Sequence, residues 1–289
     1  MSWLLRWQNR GAYWRLMRAD KPIGIYLLLW PTVWALLWAS EGLPSLSITL
    51  IFLGGVVLMR SAGCVINDYA DRKVDGAVAR TKARPIVSGE VGENEALQLF
   101  ALLILMSFAL VLMLNWHTVL LSVGALFLAS LYPFMKRYTH LPQIVLGAAF
   151  SWAIPMAFMA IQNDLPSWLW LIYLANLTWT VAYDTAYAMV DRDDDLKIGI
   201  KSTAILFGRF DLYAILLLQL TTLGLLVFVG LVTALHFSYY LGLLIVAVMF
   251  AYQYTLIKTR QGEACFKAFL HNHWVGLVIA LSVASGLII

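Results

Sequence analysis

Long apolar stretches dominate the chain, and polar positions gather in the gaps between them. Stretches at about 23–40, 48–66, 96–114, 118–134, 142–161, 167–190, 212–235, 239–257 and 274–289 carry almost no charge. A hydrocarbon core needs about 20 apolar residues per crossing helix. In lipid each segment must also satisfy its own backbone N–H and C=O groups, which favours helices over isolated strands. The pattern therefore predicts an all-α polytopic membrane protein with nine transmembrane helices, the last of them short. Residues 1–22 alternate tryptophan and arginine with apolar positions. They read as an amphipathic segment on the membrane surface, too often broken by arginine for a cleavable signal peptide. Residues 1–289 leave no room for a soluble domain and read as one intramembrane domain.

Charge then orients the bundle. The segment before the first stretch carries Arg6, Arg10, Arg15, Arg18 and Lys21, and the gap after the second carries Arg72, Lys73, Arg80, Lys82 and Arg84. Lys136 and Arg137 follow the fourth stretch. Arg192, Lys197, Lys201 and Arg209 follow the sixth, and Lys258, Arg260 and Lys267 the eighth. The alternate gaps at 41–47, 115–117, 162–166 and 236–238 hold no lysine or arginine. Cytoplasmic loops are enriched in both, so the N-terminus is expected in the cytoplasm and the C-terminus outside. Trp3, Trp7, Trp14, Trp30, Trp38, Trp116, Trp168 and Trp170 fall near predicted boundaries, as an interfacial aromatic belt would. Composition agrees: 62% of residues are hydrophobic and 12% charged, against about 45–50% and 25% in soluble domains. The net charge of +4 comes without a basic patch interleaved with aromatics, so no nucleic-acid partner is expected. Cys64 and Cys265 lack the spacing of a metal site, and His271 and His273 do not share a helix face.

The carboxylates are as unevenly spread as the cations, with only Glu41 and Asp164 in the cation-free gaps. Two acidic clusters stand out on the cation-rich side. Asn67, Asp71 and Asp75 recur every four residues, and so share one face of a continued helix. Arg60 lies seven residues before Asn67, near that face. Tyr183, Tyr187, Asp191 and Asp195 repeat the spacing, with Asp184 seven residues before Asp191. Both clusters end helices whose C-terminal dipoles already carry negative charge. Carboxylates crowded there repel one another unless a cation lies between them. Oxygen donors without histidine or cysteine suit a hard ion, Mg²⁺ or Ca²⁺. The neighbouring Arg80, Lys82, Arg84, Lys136, Arg137 and Lys197 suit a diphosphate.

Residues 75–89 also fit the opening of the CDP-alcohol phosphatidyltransferase signature, through Asp75, Gly76, Ala79, Arg80 and Gly89. The fit then fails, because Glu93 and Leu97 occupy its last two aspartate positions. A fuller match covers almost the whole chain. "GCVINDYADRKVDG" holds the form NDxxDxxxD at Asn67, Asp68, Asp71 and Asp75, and "AYDTAYAMVDRDDDLKIGIKSTAILFG" holds DxxxD at Asp191 and Asp195. With "RLMRADKPIGIYLLLWPT" and "YPFMKRYTHLPQIVLG", these segments resemble the UbiA superfamily of intramembrane aromatic prenyltransferases. The likeness is strongest to the branch that prenylates 4-hydroxybenzoate in ubiquinone synthesis.

The resemblance implies nine helices in a bacterial inner membrane, with an active site facing the cytoplasm. It implies transfer of a polyprenyl group from polyprenyl diphosphate to the ring of 4-hydroxybenzoate. Mg²⁺ is then expected on Asn67, Asp71, Asp75, Asp191 and Asp195, with Asp71 and Asp191 catalytic. Arg72, Lys136 and Arg137 become the foremost diphosphate contacts, beside Arg80, Arg84 and Lys197. Tyr183 and Tyr187 are candidates to stabilise an allylic cation through their ring faces. Arg18 or Arg60 would recognise the substrate carboxylate, and Asp184 would accept a proton or orient a partner. The competing class is a cation-coupled transporter, which would place ionisable groups near mid-membrane and break its helices there. These carboxylates crowd one side instead.

Overall fold

The computed structural model describes residues 5–73, 76 and 81–288, and among them every regular element is helical. In chain order these are α1 (Arg10–Leu16), α2 (Ile23–Ala39), α3 (Leu46–Asp71), α4 (Glu93–Val111), α5 (Trp116–Tyr138), α6 (Pro142–Ser151), α7 (Ala153–Gln162), α8 (Leu169–Ile198), α9 (Thr203–Phe207), α10 (Asp211–Val232), α11 (Phe237–Ile257) and α12 (Gly262–Ile288). Each predicted apolar stretch lies on helix. Among the described residues seven helical segments are long and apolar enough to cross a membrane: α3, α4, α5, α6 with α7, α9 with α10, α11 and α12.

The helices at the centre differ from those facing lipid. The longest helix, α8, spans 30 residues and packs against α6, α10 and α12. It buries Asn176, Thr180, Asp184 and Thr185. Asn176 donates to Ser151 Oγ at 2.9 Å, and Thr185 bonds Thr203 at 2.7 Å. Gly199, at φ 73°, ends α8 in the left-handed conformation that glycine adopts without a Cβ clash. The bend between α6 and α7 falls at Ser151, four residues before Pro155. A proline lacks the N–H for that carbonyl and its ring crowds it, so the helix breaks there.

Two sequence expectations need correction. The last helix is not short: α12 begins at Gly262 and runs for 27 residues, because its charged first turns and its histidines remain helical. Trp38 is not in an interfacial belt. It is 1% exposed and belongs with Trp34, Trp179, Phe158 and Tyr239 to the packed core. Two indole N–H groups buried there find acceptors, Trp34 at Gly276 O and Trp179 at Asn272 Oδ1, both 2.9 Å, whereas Trp38 Nε1 has no hydrogen-bond partner among the described residues. Trp7, Trp14 and Trp116 are exposed as expected, whereas Trp3 lies outside the described residues.

Segment α1 is amphipathic on the scale of one face. Ala12, Tyr13 and Leu16 are buried against Ala62, Val65, Val91 and Ala96, and Trp14 faces outward. Glu95 pins it, accepting from the Tyr13 hydroxyl and, at 2.9 Å, from Asn9. A buried ion cluster ties three further helix ends together. Asp211, fully buried, is met by Arg192 at 2.5 Å from the end of α8 and by Arg260 at 2.8 Å from the α11–α12 turn.

Glycine lets α11 and α12 approach closely, since a Cβ at Gly242 would stand 1.8 Å from Ser282 Oγ and 2.7 Å from its Cβ. Small residues at such crossings carry helix association in lipid. Gly242→Val is expected to cost about 1–3 kcal/mol through overpacking. A thermal-shift measurement in detergent should show a lowered midpoint. An unchanged midpoint would contradict this packing.

Candidate active site

The first acidic motif continues α3 without a break, so Asn67, Asp68 and Asp71 project from its last turns. The second does the same on α8, with Asp191 and Asp195. All five residues line one cavity of about 930 Å³. Asp75 and Arg80 lie outside the described residues. Arg18, Arg84 and Lys136 join the carboxylates at this end. Arg60, Tyr183, Asp184 and Tyr187 line the same cavity further along. Seven residues separate Arg60 from Asn67 and Asp184 from Asp191, so both sit about 10 Å deeper at 1.5 Å per helical residue. Beyond them the wall is apolar, with Leu27, Phe52, Val56, Ile104, Phe108 and Val111. Val123 and Phe108 line it while remaining 63% and 43% exposed, so the cavity opens sideways beside α4 and α5.

Buried carboxylates here are met by cations from other segments. Lys136 donates to Asp71 Oδ2 from the end of α5. Asp71 Oδ1 is buried with no hydrogen-bond partner among the described residues. Asp68 receives Arg18 Nη2 at 3.0 Å and Arg84 Nη1 at 3.0 Å. Arg18 reaches it from a left-handed backbone, φ 57°, just past the end of α1. Residues other than glycine rarely adopt that conformation.

Deeper in, Arg60 Nη1 donates to Cys64 Sγ at 2.7 Å, while its Nε is buried without a partner among the described residues. The guanidinium occupies the space over Gly24, where a Cβ would stand 2.3 Å from Nε. The Tyr183 hydroxyl is also buried without a hydrogen-bond partner among the described residues. Aromatic rings surround this level. Tyr187 packs on Phe269 at 4.6 Å, and Tyr183 lies edge-on to Trp179 at 5.2 Å.

Three expected diphosphate contacts do not line the cavity. Arg72 Nε stands 2.9 Å from Glu93, and its guanidinium lies 4.0 Å over the Tyr69 ring. Arg137 donates to the Ala70 carbonyl. Adjacent residues of a helix do not share a face, and Lys136 takes the one toward the cavity. Lys197 pairs with Asp194 at 3.0 Å and its side chain is 72% exposed. In exchange, Lys21, Asp68, Tyr132, Gln143 and Lys201 line the cavity without having been singled out by spacing. Lys201 is held by its backbone, which donates to Lys136 O at 3.0 Å, and by Nζ on Tyr138 O at 3.2 Å. Gln143 Oε1 accepts from Thr203 N at 3.1 Å. Asp68 alone had a sequence signal, as part of NDxxDxxxD, but it lies off the face that a four-residue spacing selects.

Seven cations (Arg15, Arg18, Lys21, Arg60, Arg84, Lys136, Lys201) and six carboxylates (Asp20, Asp68, Asp71, Asp184, Asp191, Asp195) line the cavity among the described residues. Such a balance accepts a polyanion best when a cation accompanies it. Among the described residues no three carboxylates, histidines or cysteines are grouped closely enough to hold a metal by themselves.

Residues 28–276 match the model of the UbiA prenyltransferase family. A 4-hydroxybenzoate octaprenyltransferase from Pseudoalteromonas atlantica is 61% identical over 273 residues, covering 94% of this chain and 96% of that protein. One from Salmonella paratyphi B is 59% identical over 284 residues, 98% of each chain. Among solved structures, a UbiA homolog from Aeropyrum pernix K1 superposes with a TM-score of 0.80 at 24% identity, over 89% of this chain and 96% of its own. A homolog from Archaeoglobus fulgidus, solved with GPP and Mg²⁺, has a TM-score of 0.75 at 21% identity, over 95% and 98%. By the extent of these matches, the chain belongs to the UbiA prenyltransferase family.

Proposed function

We propose that this protein transfers a polyprenyl group from polyprenyl diphosphate to 4-hydroxybenzoate, ortho to its hydroxyl, giving 3-polyprenyl-4-hydroxybenzoate and diphosphate. The observation that carries this is a single cavity with acidic and cationic groups at one end, an arginine and aromatic rings at mid-depth, and an apolar wall open to the side. The names of the two relatives near 60% identity support the choice of substrates. In this reading one domain spans residues 1–289 and crosses the inner membrane nine times, α2 and α8 included. The N-terminus and the polar mouth face the cytoplasm, and the C-terminus lies outside. The clustering of cation-rich connections around the mouth supports that orientation.

Asn67, Asp71, Asp191 and Asp195 would hold Mg²⁺, with Asp75 as a further ligand. The donor set fits: it is all oxygen, and Asp71 retains one buried oxygen without a hydrogen-bond partner among the described residues. When bound, Mg²⁺ neutralises charge developing on the diphosphate. Arg18, Arg84, Lys136 and Lys201 take the remaining phosphate oxygens, a preorganised set of donors where negative charge grows. The allylic C–O bond breaks with both electrons passing to the diphosphate. The faces of Tyr183 and Tyr187 stabilise the allylic cation, and the apolar wall keeps water from it. Arg60 binds the substrate carboxylate through guanidinium donors. The ring carbon next to the hydroxyl forms the new C–C bond, and its proton passes to Asp184, which lines the cavity at the same level as Arg60. The prenyl tail leaves the cavity beside Val123, toward lipid.

Asp71→Ala and Asp191→Ala should each lower turnover of labelled 4-hydroxybenzoate by about 100-fold or more, the scale of losing one preorganised electrostatic group. Full activity in either variant would remove that residue from the site. Arg60→Ala should raise KM for 4-hydroxybenzoate by about ten- to a hundredfold, the worth of a charged hydrogen bond. The neutral 4-hydroxybenzamide should be used equally by wild type and variant. Gly24→Val should imitate Arg60→Ala by displacing the guanidinium. If both acceptors suffer alike, Arg60 does not read the carboxylate.

A further inference from the structure

Asp68 has no part in the reaction derived above, yet it is 1% exposed and lines the mouth beside Asp71. It lies about 100° round α3 from Asn67, off the face of the four-residue repeat. Both of its oxygens are engaged by Arg18 Nη2, at 3.0 and 3.1 Å, and Arg84 Nη1 stands 3.0 Å from Oδ1. A carboxylate so occupied is poorly placed to ligate a metal. It does something else well: it holds two guanidiniums side by side that would otherwise repel.

The two arginines come from separate segments, one from the N-terminal stretch and one from the α3–α4 connection. Each guanidinium has five donors in a rigid fork. Arg18 spends Nη2 on Asp68 and Nη1 on Arg15 O at 3.1 Å. Both arginines line the cavity. The N-terminal stretch is itself anchored, through Tyr13 and Asn9 to Glu95 and through Arg15 to Glu90. That anchoring delivers Arg18 to the mouth.

Resting on the prenyltransferase reading, we propose that Asp68 is a positioning residue and not a metal ligand: it holds Arg18 and Arg84 as a paired fork whose other N–H groups grip the diphosphate of the prenyl donor. The test compares wild type, Asp68→Asn, Asp68→Glu, Arg18→Ala and Asp71→Asn. KM and kcat for polyprenyl diphosphate, the half-saturating Mg²⁺ concentration, and calorimetric binding of farnesyl S-thiolodiphosphate with Mg²⁺ are measured for each. Asp68→Asn and Arg18→Ala should raise both KM and the analogue Kd by about ten- to a hundredfold, the scale of charged hydrogen bonds. The Mg²⁺ requirement should stay at the wild-type value, while kcat falls together with affinity, because the same donors meet the charge that grows on the diphosphate. Asp68→Glu should recover part of the affinity, and Arg18→Ala combined with Asp68→Asn should lose less than the two single effects summed. Asp71→Asn should instead shift the Mg²⁺ requirement.

An Asp68→Asn variant that needs more Mg²⁺, as Asp71→Asn does, would make Asp68 a ligand and overturn the proposal. Unchanged analogue affinity in Asp68→Asn would overturn it as well. If Asp68→Asn does not fold, Arg18→Ala, at a side chain 28% exposed, decides through the same two readouts. Analogue binding does not involve the aromatic acceptor. A wild type that binds it but fails to prenylate 4-hydroxybenzoate therefore counts against the proposed acceptor alone.

Discussion

A carboxylate buried at the end of a membrane helix persists only where a cation from elsewhere meets it. This chain applies that constraint repeatedly on one side of the bundle. Asp71 is met by Lys136, Asp68 by Arg18 and Arg84, and Asp211 by Arg192 and Arg260. The partners come from different segments of the chain in each case, so the pairing also holds together the helix ends those segments join. Arg192 follows Asp191 directly, and its bond to Asp211 anchors the end of α8 that carries the second motif. Structural and reactive charge thus share one region. The first holds the helices, and the second is left with capacity for a substrate, as at Asp71 Oδ1.

The opposite half of the bundle carries little charge, with Glu41 and Asp164 in its connections. Trp34, Trp38, Phe158 and Trp179 fill the space between α2, α7 and α8, all 1% exposed or less. Arg60 and Asp184 are the charged side chains that line the cavity at mid-depth on α3 and α8, each seven residues in from an acidic motif. The depth of that pair matches a small aromatic acid lying between a charged mouth and an apolar wall.

Much of this was legible in the sequence. Hydrophobic runs located the helices, and the four-residue spacing placed Asn67, Asp71, Asp191 and Asp195 on faces that meet in one cavity. Arg60, singled out for lying seven residues before Asn67 near the same face, lines it too. What sequence spacing missed depends on the third dimension. Arg72 and Arg137 have the right charge in the right loops, but each lies one helix position from a residue that takes the cavity-facing direction. Lys21, Gln143 and Lys201 reach the cavity from segment ends, where no periodicity marks them. Trp38 stood near a predicted boundary, and only the packing of α7 and α12 around α2 buries it. The start of α12 was missed because its first turns are charged, and an apolar run does not report a helix that extends beyond the lipid.

The central claim is that the acidic ends of α3 and α8 act together on one diphosphate. Its most direct test is a structure of the protein with a non-ionising polyprenyl thiolodiphosphate and Mg²⁺. The account expects metal density touching Asp71 on one helix and Asp191 or Asp195 on the other, with the diphosphate between them and the tail passing Val123. A diphosphate bound by only one motif, or a metal held on one helix alone, would contradict it.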